Sequence, residues 1–504
     1  MRSLNVSKPF RLWTAFLLIS VLTAGCAVGP DFHVPAVAGA KTDYTSMPLP
    51  QKTAESPTPG GMTQRFVTGM EISSQWWTLF HSQPLDALIR QALEDSPTLG
   101  AAKAALIEAR ENRRAQLGAF FPSVDGNFTA NRSEFTGASF GQPGAPGSVY
   151  TLYNASVSVS YTLDIFGATR RGLEVLQAQV DNQRFLLEGA RLTLASNIVT
   201  TAVQEASLRA QIKATRDIIM LQEQQLGVVK NQFELGGVSR SDVLAQQAQL
   251  AQTRATLPPL EKQLFQTRHQ LAVLAGKAPV EAGSLPRFDL DEFQLPQDLP
   301  VSLPSTLVRQ RPDIRASEEL LHSACAQIGV ATANLFPQLT LSGNYGSESV
   351  KLENLFATGT SIWSLGGALL QPLFHGGTLL AKRRAAIAAY DQAAAQYRET
   401  VLQAFRDVAD VLRALDMDAQ TLKAQTEAES AARDSLALTR NQFTLGAVNY
   451  LSLLNAERQH QQALISLVQA RAARFADTAA LFQALGGGWW NRPAQTETTE
   501  KKMD

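Results

Sequence analysis

Over most of the chain apolar residues recur at intervals of three and four, and in two regions that helical period gives way to strict alternation. A first helical stretch runs from about Pro84 to Leu117, with Leu85, Leu88, Ile89, Ala92 and Leu93 at helical spacing. Pro84 suits a helix start, whereas Pro97 should kink the helix or split off a short first segment. Phe121-Pro122 stops it, and Val124, Gly126, Phe128 and Ala130 then alternate with Ser123, Asp125, Asn127, Thr129 and Asn131. After a Gly- and Pro-rich loop, Tyr153, Ala155, Val157, Val159, Tyr161 and Leu163 alternate with Asn154, Ser156, Ser158, Ser160 and Thr162. The helical period resumes from Ala168 to Lys230, roughly 90–95 Å at ~1.5 Å per residue. From Ser239 the chain returns to about Gly276, and Pro258-Pro259 should bend or break that return helix. The same order follows again. A helix spans Ser305–Ala333 and stops at Phe336-Pro337. Two alternating strands come next, one with Leu339, Leu341 and Tyr345 and one with Trp363, Leu365, Leu369 and Leu373. A long helix, about Thr378–Arg440, and a short one, Tyr450–Gly486, complete the chain.

The repetition reaches the residues themselves. Asn231-Gln232-Phe233-Glu234-Leu235-Gly236-Gly237-Val238 returns 210 positions later as Asn441-Gln442-Phe443-Thr444-Leu445-Gly446-Ala447-Val448, and the same offset relates Asp181 to Asp391, Leu244 to Leu454 and Gly276 to Gly486. Two copies of one folding unit are implied. In each copy a glycine just past the last periodic residue ends and reverses a helix, so these stretches are the tips of two helical hairpins. The helix lengths fit an arrangement in which two short helices stack end to end beside each long one. The fold class is therefore mixed α+β, mostly α, with an internal repeat and two strands per copy. A hairpin half-buried in a soluble sandwich would alternate in the same way, but aromatics at both ends of an apolar face, repeated in the second copy, suit transmembrane strands. Four strands cannot close a barrel, and open edges are not tolerated in hydrocarbon. The strands must come from several chains, with eight strands from two or twelve from three.

Net charge is zero with a neutral pI, which gives no electrostatic basis for binding nucleic acid. Only Cys26 and Cys325 are present, too few for a disulfide framework or a Cys-rich metal site. The six histidines have no metal-ligand spacing, and His375 sits in a strand-to-helix turn. No phosphate loop or nucleophile signature appears, so neither catalysis nor a cofactor nor a metal is expected. Arg2, Lys8 and Arg11 precede an apolar core, Leu12 to Leu22, and then Thr23-Ala24-Gly25 leads to Cys26. This looks like a bacterial lipoprotein signal with Cys26 as the acylated residue, although Leu22 lies four rather than three positions before it; an ordinary secretory signal is the alternative. Beyond residue 26 no run approaches the ~18–20 apolar residues of a membrane helix.

Five features occur in order along the mature chain: Cys26-Ala27-Val28-Gly29-Pro30-Asp31-Phe32, Trp76-Trp77-Thr78-Leu79-Phe80, the paired Phe-Pro strand starts, the two tips, and Leu485-Gly486-Gly487-Gly488-Trp489. Together they resemble the TolC-like outer-membrane efflux proteins, specifically the lipid-anchored type that includes OprM and NodT-like factors. His81-Ser82-Gln83 departs from the short acidic turn often found there. The resemblance implies a homotrimer with a twelve-stranded outer-membrane barrel and a long α-helical barrel in the periplasm. On that reading residues 1–25 are the signal peptide and 26–80 a lipid-anchored arm and equatorial segment. Residues 81–276 and 305–488 are the two repeats, 277–304 is an equatorial linker, and 489–504 is a tail expected to be disordered.

The implied function is passive: the outer-membrane exit duct of a tripartite efflux system. Small toxic compounds or drugs would reach it from an inner-membrane pump, most naturally of the proton-driven RND type, through a periplasmic adaptor (membrane fusion) protein. By the same resemblance, Leu235, Gly236, Gly237, Val238, Ser239 and Leu445, Gly446, Ala447, Val448, Asn449 would dock the adaptor, though glycines there also serve simply to end helices. Asp434, chosen from Asp217, Glu223, Glu427, Glu429 and Asp434 near the tips, is the candidate periplasmic gate residue, because threefold symmetry turns an inward carboxylate into a charged ring. Two other functions are carried alongside: a duct for polypeptide (type I) secretion, and a non-conducting lipid-anchored coiled-coil scaffold, which would need no membrane strands.

Overall fold

The computed structural model describes residues 27–35, 44, 45, 47–136, 141 and 146–492. They fall into two compact units. One comprises residues up to Pro35 with Leu106–Asn182 and Ser317–Tyr397; the other comprises Ala36–Ala105, Gln183–Ala316 and Arg398 onward. In chain order the main elements are β1 (Arg65–Thr68), α1 (Gln83–Asp95), α2 (Pro97–Leu117), β2 (Ser123–Phe135), β3 (Ser148–Leu163), α3 (Ala168–Glu234) and α4 (Arg240–Leu274). Then come β4 (Asp298–Val301), α5 (Pro304–Gln310), α6 (Pro312–Ala333), β5 (Gln338–Ser349), β6 (Ser361–Leu370), α7 (Thr378–Thr444) and α8 (Tyr450–Ala484). The repeat is visible in the geometry, since α3 and α7 each have 67 residues and α4 and α8 each have 35. The offset is 215 at the starts of β2 and β5 and 210 at the starts of α3 and α7, which places five extra residues in the first strand hairpin.

The first unit holds an antiparallel sheet in the order β2-β3-β5-β6. Its register sets Val124, Val159, Gly343 and Leu365 in one row and Gly126, Val157, Tyr345 and Trp363 in another. Because directly paired residues share a face, one side is apolar. The other carries Asp125, Ser158, Asn344 and Ser364, with Asn127 Nδ2 donating to Ser158 Oγ at 3.0 Å and the Thr162 and Thr340 hydroxyls 3.1 Å apart. In a soluble sandwich a second layer would cover the apolar side. Here Val157, Val159, Tyr345, Trp363, Leu365 and Leu369 are between 38% and 81% exposed. Lipid is the solvent that suits such a face.

Proline marks two breaks in the helices. Ser96 is extended ahead of Pro97, as the sequence predicts, and Arg311 is extended ahead of Pro312, a break the single-helix reading of 305–333 did not include. A break at Pro258-Pro259 does not occur, because α4 passes through both without interruption. Pro258, Pro259, Arg254 and Ala255 are all exposed, so water can satisfy the carbonyls that lose their donors.

In the second unit, a Cβ built on Gly276 would lie 2.7 Å from the Asp95 carbonyl oxygen, and one on Gly486 would lie 3.2 Å from Arg311 Cα. The C-terminal ends of α4 and α8 thus abut the α1–α2 and α5–α6 junctions, as the end-to-end arrangement requires. Around them the arm and linker contribute a short parallel pair, β1 with β4, closed by Arg65 on Asp298 at 2.8 Å and 3.1 Å. Trp76 stacks on Phe482 at 5.3 Å, and Phe80, Phe293 and Phe475 extend the same core. Trp489–Asn491 form a turn of 3-10 helix, with Trp489 Nε1 donating to the Gln310 carbonyl at 2.7 Å. Ordered chain therefore continues past the boundary set at 488, and residues 493–504 of the tail lie outside the described residues.

Candidate functional site

Both hairpin tips belong to the second unit, and their backbones are nearly identical. At the end of α3, Gly236 N–H donates to the Phe233 carbonyl at 3.0 Å and Gly237 N–H to the Gln232 carbonyl at 2.8 Å. At the end of α7, Gly446 N–H donates to Phe443 at 3.0 Å and Ala447 N–H to Gln442 at 2.8 Å. This is the Schellman pattern, which requires a left-handed residue at the first position past the cap. Gly236 (φ 75°) and Gly446 (φ 74°) supply it. The return helices begin on side-chain caps. Ser239 and Asp242 form a reciprocal capping box, with Ser239 N–H donating to Asp242 Oδ2 at 2.9 Å, while Asn449 Oδ1 accepts from Ser452 N–H at 3.0 Å.

The apolar tip residues divide into two roles. Val238 packs with Val243, Ala245 and Phe443 against a buried cluster of Val229, Leu436, Tyr450, Leu453, Leu454 and Ala456. Leu235 and Leu445 do not: they are 87% and 84% exposed. Val238 therefore helps close the end of the hairpins from within, while one leucine per tip stands in solvent.

Among the carboxylates near the tips, Asp434 is exposed, 3.6 Å from the Arg433 guanidinium. Glu429 is held between Arg433 (3.4 Å) and His460 (3.5 Å), and Glu223 pairs with Arg254 at 2.5 Å. Glu427 and Asp217 are exposed. Glu457 is buried, and burial pushes its carboxyl above the usual range despite Arg440 at 3.8 Å.

The structure adds a contact that the sequence did not single out. The buried Tyr450 hydroxyl, at the start of α8, donates to Gln246 Oε1 of α4, and Gln246 Nε2 donates to the Gln222 carbonyl of α3 at 3.2 Å. The two hairpins are thereby tied just behind their tips. Only the spacing to the tips could have hinted at it, because the partners are 204 residues apart. Cys26, the predicted acylation site, lies outside the described residues. Among the described residues no group of histidine, cysteine and carboxylates could hold a metal, and Cys325 is a buried free thiol.

A family model described as outer membrane efflux protein matches residues 88–277 and 303–487. The pyoverdine export outer membrane protein OpmQ of Pseudomonas aeruginosa is 32% identical over 423 residues, covering 82% of this chain and 87% of its own. The toluene efflux pump outer membrane protein TtgC of Pseudomonas putida is 28% identical over 484 residues, 96% of each chain. The solved structure of the outer-membrane channel OprN superposes with a TM-score of 0.82 at 28% identity, over 92% of this chain and 100% of that one.

Proposed function

Since the chain belongs to the outer membrane efflux protein family, we propose that it carries small toxic organic molecules out of the cell, receiving them from an RND-type inner-membrane pump through a periplasmic adaptor. The protein is an outer-membrane efflux channel that extends into the periplasm, and its family consists of channels rather than enzymes. Its open four-stranded sheet closes by trimerisation, which gives twelve strands. Support for small molecules over polypeptides comes from the relatives, one named for toluene efflux and another for pyoverdine export.

The observation that carries the docking assignment is the pair of leucines, Leu235 and Leu445, held out in solvent on rigid capped turns. A lone apolar side chain at each reversal, flanked by Gly236-Gly237 or Gly446-Ala447 with no bulk of their own, offers a knob and a close backbone approach to an incoming helical hairpin. Val238, Ser239 and Asn449 hold the turns in shape, and Val448 is the half-buried counterpart of Val238. Upstream, Asp434 supplies an exposed carboxylate that threefold symmetry would repeat, favouring cations at a constriction. Acylation at Cys26, supported by the apolar run before it, would anchor the chain in the outer membrane.

The test is export from cells lacking other exit ducts. Leu445→Asp and Gly446→Asp should abolish it while leaving a folded trimer in the membrane, read by the mass and planar-bilayer conductance of the purified oligomer. Wild-type export from Leu445→Asp would remove the docking assignment. Asp434→Asn should lower cation selectivity in the same recordings.

A further inference from the structure

The 210-residue offset matches the α3–α4 hairpin to the α7–α8 hairpin, and at one level the two copies are covered differently. In the second copy Phe475 is fully buried beneath the arm. Residues 52–64 of the arm double back on themselves, with Thr53 N–H donating to the Gln64 carbonyl and Ser56 N–H to the Gly61 carbonyl, each at 2.9 Å. The turn rests on the ring, since a Cβ on Gly60 would lie 3.3 Å from Phe475 Cε2. Ser56 Oγ donates to Thr426 Oγ1 of α7 at 2.9 Å. From α8, Arg471 donates to the Pro59 carbonyl at 3.0 Å, and Arg474 to the Gly60 and Met62 carbonyls at 2.9 Å and 3.2 Å. The counterpart ring in the first copy is Phe265, which is 63% exposed. There the linker reaches only the next turn of α4, where Arg268 donates to the Ala282, Leu285 and Pro286 carbonyls and, at 2.6 Å, to Glu205 Oε1. Beside it an open groove of roughly 730 Å³ runs between α3 and α4. Each chain has one such arm and two such hairpins, so the first groove is left without a cover among the described residues.

The side chains that would hold a cover have changed as well. Where the second copy has Arg471 and Arg474, the first has Glu261 and Leu264, so α4 offers no guanidinium to backbone carbonyls at these positions. The cations stand across the groove instead. Arg216 replaces Thr426, Lys213 matches Lys423, and the linker adds Arg287. Arg216 pairs with Glu261 at 2.7 Å, while Lys213 and Arg287 are exposed. Of the residues lining the groove five are cationic and two are acidic, which leaves it net positive around an exposed ring. We propose that this groove docks an extended acidic segment of a second periplasmic protein. The segment lies over Phe265 as residues 52–64 lie over Phe475, but it turns carboxylates toward α3 and the linker rather than carbonyls toward α4. At ~1.5 Å per residue the site is roughly 40 Å of helix from the tip, so occupants of the two places do not compete.

The probe is a fluorescein-labelled peptide of residues 52–64, added to the purified full-length trimer and followed by anisotropy. Ser56 is the arm residue that meets Thr426, so a side chain at its place in the peptide meets Arg216 in the first copy. The Ser56→Asp peptide should bind at least about fivefold more tightly than the Ser56→Lys peptide, and the preference should shrink at high salt. Arg216→Glu in the protein should reverse that order. Lys213→Glu, which leaves the Arg216–Glu261 pair intact, should weaken the acidic peptide and strengthen the basic one. Phe265→Ala should weaken both. Parent-like oligomer mass and bilayer conductance establish that each variant is folded. Binding that ignores the sign of the charge, or no binding of either peptide, overturns the proposal. So does a photo-crosslinking residue in place of Phe265 that joins two copies of the chain in the pure trimer, because the oligomer then covers the groove itself.

Discussion

Gly446 and Gly237 occupy neighbouring positions of equivalent turns and should answer differently to the same substitution. Gly446 has φ 74° with nothing within 4 Å of its Cβ position, so alanine there meets only the left-handed backbone penalty of about 1–2 kcal/mol. Gly237 is one position further on, where the second copy already carries Ala447, and Gly237→Ala should be neutral within about 0.5 kcal/mol. Thermal unfolding of the purified oligomer distinguishes them, and equal losses would contradict the Schellman assignment. A second expectation concerns Asp477, whose carboxyl is pushed up to about 7 by burial and then by the neighbouring Asp418 carboxyl. With its native value above that of the unfolded chain, the stability it contributes is complete below the ordinary carboxylate range and is lost as pH rises through about 7. The melting temperature should therefore fall between pH 5 and pH 8 by a few degrees more in the parent than in Asp477→Asn. Parallel curves for the two proteins would refute this assignment.

At the level of helices and strands, the contact behind the tips has a consequence for how the hairpins move. Tyr450→Phe leaves the buried Gln246 Oε1 without its donor, which costs about 1–3 kcal/mol. The loss should appear as faster amide exchange in the first turns of α4 and α8, with the β3–β5 ladder unchanged. Exchange that speeds up equally in the sheet would point to global destabilisation instead. The same elements show what a single chain reveals of its own fold. The tips were legible because everything that makes them is local: a glycine past the last helical residue, a capping serine or asparagine, and a repeat of both. The strands were legible because a period of two survives even where lipid replaces a core. Pro97 breaks its helix and Pro258-Pro259 do not, because the effect of a proline depends on whether water reaches the carbonyls it frees, and exposure is a tertiary property. The β1–β4 pair is four residues on each side and joins segments more than 220 positions apart, so it left no periodic trace. Neither did Tyr450 with Gln246. The packing of residues 28–32 was half legible: Val28-Gly29-Pro30-Asp31-Phe32 stood out as a motif, but Arg171, His322 and Gly329, which contact it, did not.

For the whole molecule, the decisive property is that the sheet has two free edges and two unlike faces. Among the described residues β2 and β6 each pair on one side only, and hydrocarbon does not permit the other side to stay open, so each β6 must meet the β2 of the next chain until the ring closes. In that ring the apolar row of Leu365 faces lipid and the row of its neighbour Ser364 faces the lumen. Two adjacent residues therefore make a sharp test. Leu365→Arg places a cation in the bilayer, at about 2–4 kcal/mol per chain near the midplane, and three chains suffer it at once. Little trimer should survive in the outer membrane, as read by gel mobility of unheated samples. Ser364→Arg places the same charge in water, where the trimer should form normally. Its mark should be electrical, because three lumenal cations lower conductance and shift selectivity toward anions. The opposite pattern, with Ser364→Arg failing to assemble and Leu365→Arg conducting differently, would turn the sheet inside out. Equal tolerance of both would mean that neither face meets lipid, and twelve strands would no longer be needed to close the wall.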